Sequence, residues 1–153
     1  MDDYLEGVHS AWLGEKMGHQ FFSAMADAAT TELETGQWRT LARLESVTGS
    51  KMAAVMEFWG TTPNEAEVVD ISPEILDSFR AMSHADAMTR MKSTVEEALT
   101  HFDQLLAIAP DNDVEAIRFL VDHERALLSF VECELAGEHE KSLDAALALL
   151  DSG

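Results

Sequence analysis

The chain has 153 residues, nearly half of them apolar and a quarter charged, which is enough for one domain with a real hydrophobic core. Acids outnumber Lys and Arg 29 to 10, a formal net charge of -19. That balance excludes nucleic acid and anionic membrane as natural partners, since both reward clustered Lys and Arg, and it favours solubility and attracts cations.

Other classes fall away quickly. The one cysteine, Cys133, leaves no intrachain disulfide. The opening "MDDYLEGVHS" is acidic and has no apolar h-region, so a signal peptide is not expected and a cytoplasmic location is. No uncharged apolar run approaches the ~20 residues of a membrane span.

The three prolines, Pro63, Pro73 and Pro110, all lie between periodic segments, so long helices run uninterrupted. The spacing predicts a first helix over about 3–29, with Leu5, Val8, Trp12, Phe22 and Ala26 on one stripe. "TTELETGQW" then breaks the pattern, with Gly36 as the clearest break. A second helix is predicted over about 37–59 on Trp38, Leu41, Met52, Val55 and Trp59, closed by Gly60.

A long connection follows. Ser72 and Pro73 open a short helix over about 73–82, as N-cap and first helical residue. Ser83 and Asp86 form a capping box for a helix over about 84–109, which Pro110 ends. Asp111 is read as the cap of a helix over about 112–136, closed by Gly137. A short apolar helix over about 140–150 seeks cover, either on its own bundle or on a second copy, so a homodimer is a natural expectation. Alternating strand patterns are absent. The expected fold is all-α: four long helices in a bundle with a long crossover between the second and third.

Each apolar stripe carries a polar interruption. The first holds Glu15 and His19, four apart and so one turn apart on one face. The second holds Glu45 and Thr48, and the last long helix holds Glu124, with His123 beside it leaning toward Phe119, Leu127 and Phe130. On the third, Glu97 and His101 flank the stripe of Met88, Met91, Val95, Ala98, Phe102 and Leu105, with Glu96 as the alternative acid. Glu15 to Glu97 and His19 to His101 share one offset, and Glu45 to Glu124 nearly the same, as in a duplicated hairpin.

Three or four unpaired buried carboxylates would cost on the order of 10 kcal/mol, comparable to the whole stability of a domain. Something must compensate. Hard oxygen donors with imidazole suit Fe, Mn or Zn. The other remedies are salt bridges to Arg43, Arg90 or Arg125, hydrogen bonds to Trp or Thr, or outward rotation.

"AWLGEKMGHQFF", "LARLESVTGSKM", "STVEEALTHF" and "FLVDHERALLSF" together resemble the ferritin-like superfamily of carboxylate-bridged di-metal bundles. That family draws one Glu from each of two helices and a Glu-x-x-His pair from each of the other two. The resemblance implies an antiparallel four-helix bundle across roughly 3–136. It also implies Glu15, Glu45, Glu97 and Glu124 as ligands to Fe or Mn, with chemistry directed at O₂ or peroxide. Thr48 and Leu127 stand where the two family histidines would be, which leaves His19, His101 or His123 to supply nitrogen.

Three readings stay open. One is a metal-dependent protein using Glu15, Glu45, Glu97 and Glu124 with His19, His101 or His123. Another is a metal-free bundle acting as a homodimeric partner- or small-ligand-binding protein, which Leu127 favours. The last is a bundle enzyme using a Glu–His pair as acid and base. The sequence names no substrate.

Overall fold

The computed structural model describes residues 1–153, and the fold is all-helical. Its helices are α1 (Asp2–Ala28), α2 (Glu32–Phe58), α3 (Pro73–Ala81), α4 (His84–Ala107), α5 (Val114–Leu135) and α6 (Asp144–Ser152). Short 3₁₀ turns occupy Glu65–Glu67, Asp111–Asp113 and His139–Lys141. No helix is long and apolar enough to cross a membrane.

The helix starts follow their caps. Ser72 and Ser83 accept from the backbone N–H of Ile75 and Asp86, as expected of both. Gly36 does not break the chain. α2 begins before it at Glu32, because Thr31 and Glu34 form a Thr-x-x-Glu capping pair, with the Thr31 side chain accepting from Glu34 N–H. Asp111 caps nothing: it enters a 3₁₀ turn, and α5 starts at Val114. α2 ends as expected at Gly60, whose φ of 86° admits the left-handed turn.

α1 and α2 form an antiparallel hairpin across a three-residue connection, residues 29–31. Glu15 faces Gly49, Gly18 faces Glu45 and Phe22 stacks on Trp38, so the two chains run in opposite directions. α4 packs chiefly on α5, and α2 and α5 join the two pairs, while α1 and α4 meet only sparsely. α6 folds back onto α5 and α2, burying Ala146 and Leu150 against its own chain.

The core is divided. One apolar cluster gathers Phe22, Trp38, Leu41, Met88, Leu127 and Phe130 with α6; the other gathers Tyr4, Trp12, Met52, Leu105, Ile117 and Leu120. Along α1, α2 and α5 the break between them falls at the buried polar residues: Glu15 between Trp12 and Phe22, Glu45 between Leu41 and Met52, Glu124 between Leu120 and Leu127. A polar layer interrupts the middle of a hydrophobic core.

Candidate metal centre

Glu15, Glu45, His123 and Glu124 form that layer, and all four side chains are buried. His123 is wholly inaccessible, and its Nε2 is the point of convergence. Glu15 Oε1 lies 3.0 Å from it, Glu124 Oε2 3.2 Å and Glu45 Oε2 3.6 Å. None of the three oxygens is aligned well enough to make a hydrogen bond, and Glu15 Oε2 has no partner either. No Lys or Arg pairs with any of these carboxylates.

The other ring nitrogen settles the tautomer. His123 Nδ1 meets the Leu120 carbonyl, which can only accept, so Nδ1 carries the proton. Nε2 then faces the three carboxylates, with an N–H when the ring is protonated and with its lone pair when the ring is neutral. A ring N–H given to a backbone carbonyl is the arrangement that orients metal-binding histidines.

The local packing is shaped around these groups. A Cβ on Gly18 would lie 2.9 Å from the Glu45 carboxyl carbon, so only glycine leaves that carboxylate its place. Gly49 similarly allows the close approach of the Glu15 side chain, whose Cβ a methyl there would meet at 3.3 Å. Phe102 of α4 lies beside the His123 ring, centroids 6.1 Å apart and planes tilted by 35°.

The electrostatics reflect burial and the crowding of like charges. Burial pushes the Glu124 carboxyl up to about 7, against the pull of His123. Glu45 is held well above the usual carboxylate range, first by burial and then by the facing Glu15 carboxylate, with which it can share a proton. For His123, burial works to lower the value, but Glu15 and Glu45 overcome it and hold the imidazole well above its ordinary range.

Two cavities reach the layer. A polar one of about 340 Å³ opens between α1 and α2, with Glu15 and Glu45 in its wall and Lys16, His19, Glu57 and Glu65 around it. An apolar one of about 430 Å³ lies between α1 and α4 beneath α3, lined by Phe21, Phe79, Val95 and Phe102, and reaches Glu15, Glu45 and Glu124.

Of the seven residues singled out in the sequence, Glu15, Glu45, Glu124 and His123 are brought together. Glu97 and His101 are not: both are exposed, as is Glu96, because Val95, Ala98 and Phe102 take the inner face of α4. His19 is exposed too. It stands one residue past Gly18 on the rim of the polar cavity, about 100° around the helix from the seam. Thr48 is buried, and its hydroxyl donates to the Leu44 carbonyl; Leu127 packs in the core and borders the apolar cavity.

Sequence reasoning missed a second grouping, Glu134 with His84 and His139, in which Glu134 is buried. The available signal was Glu134 itself, an acid continuing the stripe of Leu127 and Val131. Comparison with known protein families, with curated proteins and with solved structures finds no match for this chain.

Proposed function

We infer that the polar layer is a carboxylate–histidine centre for one Fe or Mn ion, held by Glu15, Glu45, Glu124 and His123. The observation that carries this reading is the pair of orphaned buried atoms, His123 Nε2 and Glu15 Oε2, among three carboxylates that face a single imidazole and no Lys or Arg. A polar group left unsatisfied at such depth costs roughly 1–3 kcal/mol, and more when charged. Donor atoms of Glu15, His123 and Glu124 lie within 4.8 Å of one another, a spacing that one ion can bridge. Oxygen donors with a single imidazole suit Fe or Mn.

The ferritin-like plan fits this reading in part. The hairpin of α1 and α2, the long connection 59–83 and the acids on α1, α2 and α5 all follow it. α4 supplies no ligand, so the centre takes one ion where the family takes two.

Each residue has a definable task. The Leu120 carbonyl holds His123 with Nε2 toward the carboxylates. Gly18 clears space for Glu45. The acidic cavity between α1 and α2 draws a cation inward and lets the displaced protons leave. The apolar cavity admits a small organic molecule to the opposite side of the centre. Bound there with an open position, Fe or Mn would supply redox chemistry toward O₂ or peroxide.

The apolar cavity and Leu127 favour a second reading: a metal-free bundle that binds a small ligand, with a homodimer as its assembled form. Sedimentation at rising concentration tests the homodimer, and an unchanging monomer removes it. Elemental analysis of protein purified without chelator separates the two readings. The first expects about one Fe or Mn per chain, lost in Glu45→Ala and Glu124→Ala. Less than about a tenth of an ion per chain in the parent leaves only the second.

A further inference from the structure

We propose that Glu134, His84 and His139 form a second metal site, facing solvent and of zinc type, distinct from the buried centre. The three residues come from three elements: His84 is the first residue of α4, Glu134 lies in the last turn of α5, and His139 sits in the 3₁₀ turn before α6. Glu134 is only 5% exposed. Each of its oxygens is faced by one imidazole: His84 Nε2 lies 3.2 Å from Oε1, and His139 Nδ1 2.9 Å from Oε2. Gln37 Nε2 donates to Oε2 at 3.4 Å, and no Lys or Arg neutralises the carboxylate.

The backbone builds this convergence. Gly137, at φ 77°, ends α5 in a Schellman turn, with Glu138 N–H on the Cys133 carbonyl and Gly137 N–H on the Glu134 carbonyl. That turn folds the chain back so that His139 lies over Glu134, five residues behind it. Ser142, fully buried, then fixes the His139 carbonyl with both its backbone N–H and its hydroxyl. At the other side Ser83 caps α4 and sets the position of His84.

The donor set selects the ion. Two imidazoles and one carboxylate match the three-ligand zinc pattern that leaves one position to water. Donors on a tetrahedral zinc ion stand about 3.3 Å apart, given bonds of roughly 2.0–2.1 Å. The three donor atoms already lie within 4.8 Å of one another, and both imidazoles are exposed enough to rotate inward. The buried centre differs in both respects, with three carboxylates, one imidazole and no exposed ligand. Zinc here would clamp the start of α4 to the end of α5 and hold the turn that leads into α6.

Zn²⁺ titration of metal-stripped protein against a chromophoric chelator tests the site, with Co²⁺ as the spectroscopic stand-in. The parent and Glu45→Gln should each hold one Zn²⁺ that His84→Ala and His139→Ala bind at least about tenfold more weakly. Co²⁺ should give a tetrahedral absorption spectrum in the first pair and lose it in the second. The proposal is overturned if His139→Ala and His84→Ala bind Zn²⁺ as tightly as the parent. It is equally overturned if Glu45→Gln alone removes the bound zinc. Both histidines are exposed, so folding of the variants is not at stake, and the result is independent of whether the buried centre takes Fe or Mn.

Discussion

Two buried acidic regions lie in the same core and meet opposite fates. Near one end, Asp113 Oδ2 accepts from the Tyr4 hydroxyl at 2.8 Å and from Trp59 Nε1 at 2.7 Å. Two neutral donors from α1 and the end of α2 satisfy it, and burial together with the Asp113 bond pushes the Tyr4 hydroxyl well up. In the middle of the core, Glu15, Glu45 and Glu124 surround one imidazole without forming one aligned bond to it. A buried acid is therefore not itself a sign of a site. What sets the central layer apart is that three buried acids gather on one imidazole with no aligned donor among them.

The polar layer has a direct consequence for pH. In the metal-free protein Glu124 titrates near 7 against about 4.5 when unfolded, and Glu45 is also raised. A raised folded value stabilises below the unfolded one and loses that contribution as pH climbs through the folded one. His123, also raised, works in the same direction. Urea melts of chelated protein should therefore show stability falling by roughly 3 kcal/mol from pH 5 to 8 on account of Glu124 alone. Saturating Mn²⁺ should flatten that fall, because the bound ion takes the place of the protons. A chelated protein more stable at pH 8 than at pH 5 would break the account.

Neutral substitutions should split the two regions by sign. Tyr4→Phe removes one donor from Asp113 and should destabilise by about 1–3 kcal/mol. Glu124→Leu in the metal-free protein at pH 8 should stabilise by about 1–3 kcal/mol, because it removes an acid whose burial outweighs the pull of its one facing imidazole. If both lower stability in denaturant melts, the contrast between the regions is lost.

Gly18→Ala sharpens the same contrast. The new methyl displaces the Glu45 carboxylate, while the helix gains about 1 kcal/mol of propensity. Thermal stability should stay within about 1 kcal/mol while metal affinity falls several-fold, a combination that binding and melting curves read together. The smallest effect belongs to α4. Glu97→Gln and His101→Ala should each shift stability by less than about 0.5 kcal/mol and leave metal content unchanged.

Much of this was readable in the sequence where the governing interaction is local. The helices follow their periodicity, and Glu15, Glu45 and Glu124 announce themselves as acids on apolar stripes. His123 was found only as a neighbour of Glu124, since its reach depends on the bend of its side chain toward α1 and α2. The α2 start was misplaced because Gly36 outweighed the Thr31–Glu34 capping pair, although a glycine costs a helix only about 1 kcal/mol. Glu97 and His101 were drawn in by matching offsets, whereas Phe102 and Ala98 decide which face of α4 turns inward. Tyr4 with Asp113, and His84 with Glu134, are contacts between distant segments, and no local pattern reports them.

The central claim is that an ion completes the polar layer. The most direct test is Mn²⁺ titration of metal-stripped protein at pH 7.5, followed by the spin-resonance signal of free Mn²⁺. The parent should remove one Mn²⁺ per chain from solution and rise in melting temperature, while Glu15→Ala and Glu124→Ala should do neither. A parent that leaves all Mn²⁺ free at about 1 mM, an affinity weaker than roughly 4 kcal/mol, would contradict it.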